Sequence, residues 1–142
     1  MTNYDRVQMM LNSYIEWITD VENIRLEIEA IQNDYDIAGI EIKEKTGQTY
    51  KINNEIETKI INKLEKIKNL EKIKESNMTN IRRLENSLKV LSEFEAKVIK
   101  LKYLESPTAS WKTVAYKLNS SSSSCRQAKV RAIRKLIPRL CR

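Results

Sequence analysis

The chain has 142 residues, with 26 Lys and Arg against 19 Asp and Glu and no His. Two Gly and two Pro are too few for the turns of a β-sandwich. No stretch approaches the roughly 18 apolar residues of a membrane span. The opening Met1 to Met10 lacks the basic-then-apolar order of a secretory leader, so a cytoplasmic location is expected. Cys125 and Cys141 alone cannot build a zinc site. These bounds point to an all-α, basic protein without metal, cofactor or membrane segment.

From Val7 the apolar residues run Leu11, Tyr14, Ile18, Val21, Ile24, Ile28 and Ile31, in steps of three and four. That is one face of a helix from about Asn3 to Asp34. Residues 36–51 contain Gly39 and Gly47 and read as a connector, with Ile37, Ile40 and Ile42 alternating as in a short extended piece. A second helix is expected after Asn54, whose side chain would cap it while Glu57 reaches back. Its stripe is Ile56, Ile60, Leu64, Ile67, Leu70 and Ile73, with Lys63, Lys66, Lys68 and Lys72 outside among Glu65 and Glu71. The polar runs Glu75-Ser76-Asn77 and Thr79-Asn80 mark an expected bend or domain boundary. The division is then a helical hairpin or coiled coil over residues 1–78, which buries little alone and is expected to form a homodimer or to dock on the C-terminal part, and a small four-helix domain over 79–142.

Charge follows the same division. Residues 1–96 hold 14 basic residues against 18 acids, whereas residues 97–142 hold 12 against Glu105 alone. So concentrated an excess repels itself unless it faces a polyanion, and nucleic acid is the partner it suggests.

Within this basic segment the elements are short. Ile81, Leu84, Leu88 and Leu91 suggest one helix, with Arg82 and Arg83 as a solvated pair. Ser92 and Glu95 have capping-box spacing and open a helix through about Leu104, ended by Ser106-Pro107. Ser110 can cap a helix from Trp111 to Leu118, and Asn119 can take the left-handed conformation that closes it. Trp111 is assigned to packing, not to stacking on a base. Serines 120–124 resemble a linker in composition, but serine is also an N-cap, and another helix is expected over 122–137, stopped by Pro138. Cys125, Ala128, Ala132 and Leu136 form its inner side. Ser123, Arg126, Gln127, Val130 and Arg134 lie outside, with Ser124 and Arg131 on a flank. Two helices joined by a tight turn, the second basic outside, make a helix-turn-helix.

At this point a family resemblance emerges. Val114-Ala115 through Leu118, then Cys125-Arg126-Gln127 and Ala132-Ile133-Arg134-Lys135-Leu136, resemble region four of bacterial sigma factors. Leu91-Ser92, Glu95, Val98-Ile99, Leu101 and Tyr103-Leu104 resemble that region's preceding helix. The likeness covers residues 79–137. Where the family's recognition helix usually opens on charged residues, this chain has Ser122, Ser123 and Ser124, so the family's usual hexamer is not carried over. Nothing in residues 1–78 resembles the promoter-melting region. The architecture is similar to phage transcription regulators, the late-gene activators of the ArpU and RinA type.

The resemblance implies a DNA-binding regulator in a bacterial host, working at the nucleoid, with RNA polymerase as a further partner. Ser122, Ser123, Arg126 and Gln127 are the base-contact candidates, since Arg pairs bidentately with guanine and Gln with adenine. Lys112, Thr113, Ser124, Val130, Arg131, Arg134 and Lys135 are candidates for phosphate or polymerase contact. Two alternatives are a phage small terminase subunit and a polymerase-binding adaptor that leaves DNA untouched. No catalytic constellation is recognisable, so an enzyme is not expected.

Overall fold

A computed structural model describes the backbone of residues 1–44, 50–106 and 109–142, and the side chains of 1–34, 55–106 and 109–142. The protein is all-α, with no strand among the described residues. The elements are α1 (Asn3–Glu44), α2 (Tyr50–Ser87), α3 (Glu93–Ile99), α4 (Trp111–Lys117) and α5 (Ser122–Leu140). A 3-10 turn, Leu88–Val90, follows α2, and a π-helical stretch, Lys100–Glu105, continues α3.

The two long helices run further than the residue pattern predicts. α1 opens on a reciprocal cap: Thr2 Oγ1 accepts from Asp5 N at 3.1 Å and Asp5 Oδ2 accepts from Thr2 N at 3.3 Å. It continues through Gly39 to Glu44, so most of the expected connector over 36–51, including the proposed extended piece, is helix. A lone glycine costs a helix only about 1 kcal/mol relative to alanine. The remainder of that connector, 45–49, lies outside the described residues. Because α2 begins at Tyr50, Asn54 stands inside it and is not its N-cap. Near residues 75–80 the helix does not bend, although the boundary between two compact units falls at 77/78, and the helix expected around Ile81 is the end of α2. None of those polar residues is Gly or Pro, and each differs from a good helix former by well under 1 kcal/mol.

The chain divides into two compact units, residues 19–77 and residues 1–18 together with 78–142. In the first, α1 and α2 lie side by side, with Lys66 Nζ 3.7 Å from Glu27 Oε1. Ile24 and Ile28 are buried as their spacing predicts. On α2 the inner row is Ile60, Lys63, Ile67, Leu70, Lys74 and Asn77, all half-buried. Leu64 and Ile73, expected inside, are instead 49% and 52% exposed. Lys63 and Lys74 replace them because a lysine's four-carbon stem covers apolar surface while its ammonium stays in water.

The second unit holds the larger core. Val7, Leu11, Leu84, Leu88, Ile99, Tyr103, Ala132, Ile133, Leu136 and Leu140 form one buried cluster. A second joins Val98, Val114, Ala115, Cys125 and Ala128. The domain expected over 79–142 therefore packs with the first 18 residues as one unit. α5 also passes through Pro138, its expected stop, to Leu140. The lost N–H bond falls in the last turn, where Leu140 is anchored in the core and its carbonyl accepts from Arg83 Nη2 at 3.2 Å. Arg83 is thus a packing residue as well as a surface charge. Among the described residues no helix is long and apolar enough to cross a membrane.

Candidate nucleic-acid interface

Ser110 caps α4, its hydroxyl oxygen accepting from Thr113 N at 3.2 Å. α4 ends in a Schellman closure: Ser120 N donates to Ala115 O at 3.0 Å and Asn119 N to Tyr116 O at 3.3 Å. Asn119 has φ 51°, the left-handed conformation this closure needs. Ser121 then caps α5, accepting from Ser124 N at 3.0 Å and donating to Ser124 Oγ at 2.8 Å. The serine run is therefore no linker. Ser120 closes one helix, Ser121 opens the next, and Ser122, Ser123 and Ser124 form its first turn.

Cys125, Ala128, Ala132 and Leu136 are wholly buried, which fixes the rotation of α5 about its axis. Burial raises the Cys125 thiol pKa, as suits a small packing residue. Arg126 and Gln127 point outward, exposed and without a partner among the described residues. Ser123 and Arg134 are exposed beside them, Ser122 and Val130 are half-buried, and the exposed Ser124 hydroxyl accepts from Ser121, which leaves its own O–H as a donor. On α4, Lys112 and Thr113 are exposed, with the Thr113 hydroxyl 3.0 Å from Ser110 Oγ.

Arg131 and Lys135 stand differently from the other basic candidates. Both reach Glu95, which is only 3% exposed: Lys135 Nζ lies 2.7 Å from Oε1 and Arg131 Nε 3.4 Å from Oε2. Glu95 Oε1 also accepts from Ser92 N at 2.9 Å, and Glu95 N donates to Ser92 Oγ at 3.2 Å, completing the expected capping box. Burial alone would raise this carboxyl's pKa. The hydrogen bonds from Lys135 and Ser92 and the Lys135 charge outweigh burial and hold it at about 2. One carboxylate thus caps α3 and clamps α5 to it.

Trp111 packs on the second core cluster, and its ring lies under two cations, Lys102 Nζ at 5.2 Å and Lys129 Nζ at 5.7 Å. Lys102 Nζ also donates to Ala109 O at 2.6 Å, fixing the entry into α4. Three residues here go beyond what residue type alone suggested. Glu95 was legible only as a cap. Lys129 lies four residues after Cys125 and three before Ala132, a spacing that puts it beside the buried row. Tyr116 is 84% exposed on α4 and adds an aromatic face close to the turn.

Among the described residues no group of three or more His, Cys, Asp or Glu side chains is placed to hold a metal ion. Compared with protein-family models, curated proteins and solved structures, the chain has no match.

Proposed function

We propose that the protein is a DNA-binding transcription regulator that inserts the first turns of α5 into the major groove. One observation carries this reading. Arg126 and Gln127 stand outward and unpaired at the start of a helix whose opposite side is locked into a core. They also belong to a 46-residue segment with 12 basic residues and a single acid. Arg and Gln each offer paired hydrogen-bonding atoms that match a base edge. Ser123 is exposed as a further base-contact group, and Lys112, Thr113 and Arg134 are exposed with groups suited to phosphate contact. The resemblance to sigma region four gives the same orientation and suggests a phage-encoded regulator acting on bacterial promoters, with RNA polymerase as its second partner.

Leu26, Ile61, Leu64 and Ile73 are large apolar side chains exposed on the 19–77 unit, and they favour self-association there. A dimer would present two α5 helices to two half-sites, as helix-turn-helix regulators do.

The test is binding to promoter-length duplexes across a range of salt. Log affinity should fall by roughly 0.9 for each phosphate contact per tenfold increase in salt. Selective binding to one duplex with that dependence supports the reading, and a chain that binds no duplex at low salt sinks it. Polymerase capture without DNA affinity would assign the protein to the adaptor class.

A further inference from the structure

The end of α5 forms a second basic feature, far from the helix's first turns. Arg126 and Arg139 are 13 positions apart, about 20 Å along a helix axis. Arg139 and Arg142 border a hollow of about 280 Å³ that Arg83, Asn86, Ser87 and Val90 complete from α2 and the turn after it. No Asp or Glu lines it.

Three arginines line this hollow although like charges repel, and each donates to a backbone carbonyl. Arg139 Nη1 donates to Lys135 O at 3.0 Å, Arg142 Nε to Pro138 O at 3.4 Å, and Arg83 Nη2 to Leu140 O at 3.2 Å. These carbonyls belong to the C-terminal turns of α5, where the helix dipole is negative. Each guanidinium spends one of its five N–H donors on a carbonyl, which orients the fork and leaves the other donors available. The nearby acids are engaged elsewhere: Glu85 with Tyr14, Glu93 with Lys97, and Glu95 with Lys135 and Arg131. Among the described residues none of the three arginines has a carboxylate partner.

We propose that this hollow is a phosphate-binding site. Pre-oriented arginine forks match the paired oxygens of a phosphate, and Asn86 places a further polar group at the wall, while the buried Ser87 hydroxyl donates to Arg83 O at 2.6 Å. The hollow is large enough to admit a phosphate group. The phosphate is either a phosphodiester of nucleic acid or the group of a free phosphorylated molecule. The proposal does not depend on base reading by Arg126 and Gln127.

The experiment titrates the full chain with inorganic pyrophosphate by calorimetry and measures the salt dependence of duplex binding. The variants are Arg139→Gln with Arg142→Gln, both exposed positions, and Arg83→Gln. The control is Lys89→Gln with Lys100→Gln, exposed cations outside the hollow. At least a tenfold loss of pyrophosphate affinity in the arginine variants, with duplex binding unchanged, identifies a free phosphate. A duplex salt slope reduced by about one per arginine, with or without pyrophosphate binding, identifies a nucleic-acid phosphodiester. The proposal is overturned if neither readout changes in the arginine variants, or if the control changes both equally.

Discussion

Glu95 joins more of the candidate interface than any outward-facing side chain. Its ionised carboxylate caps α3 through Ser92 and holds Lys135 and Arg131 on α5. Glu95→Gln keeps the shape and removes the charge, and should cost about 2 kcal/mol, read as a lowered denaturation midpoint. The pH dependence has a definite sign. Because the folded pKa, about 2, lies below the ordinary 4.5, this stabilisation is complete above about 4.5. It is lost as pH falls towards 2. In the Gln variant that part of the acid sensitivity should disappear, as thermal melts between those pH values would show. The roles of Arg131 and Lys135 were not legible from residue type, because a cation on a basic face looks the same whether it faces solvent or a buried acid. Ser92 and Glu95 show their cap by spacing, but the clamp needs a partner about 40 positions away.

At the scale of the element, the turn between α4 and α5 depends on two small polar residues. Asn119→Ala should cost about 1 kcal/mol, because a Cβ-bearing residue without a local hydrogen-bonding side chain resists φ 51°. Asn119→Gly should be close to neutral. Ser121→Ala removes the cap and should cost about 1 kcal/mol, measurable in the same melts. These positions were readable in advance, since Asn suits the left-handed closure and Ser the N-cap, both local effects. Pro138 was misleading. Its effect is also local, but Leu140 in the core and Arg83 on its carbonyl outweigh it. The inner row of α2 departs from the apolar pattern for a similar reason. Pattern ranks lysine as outward, whereas Lys63 and Lys74 lie half-buried and Leu64 stays exposed.

At the scale of the whole molecule, the start and the end of the chain share one core. Val7 and Leu11 are fully buried in the cluster that contains Ile133 and Leu136. Leu11→Ala should therefore lower the stability of the unit carrying α5 by about 2–5 kcal/mol. A fragment limited to residues 79–142 should unfold less cooperatively than the full chain in calorimetry. The apolar spacing predicted the buried face of α1 but not which partner covers it, because periodicity carries no information about distant contacts.

Base reading by the outward side of α5 can be measured directly. The direct measurement is the ratio of affinities for a duplex selected from a random pool and for an unrelated duplex of equal length, at one fixed salt concentration. For the unaltered chain this ratio should be at least about 10³. Arg126→Ala with Gln127→Ala should reduce it by about ten- to a hundredfold, while affinity for the unrelated duplex falls much less. A ratio unchanged by the two substitutions, in a protein that melts as the unaltered chain does, would contradict the account.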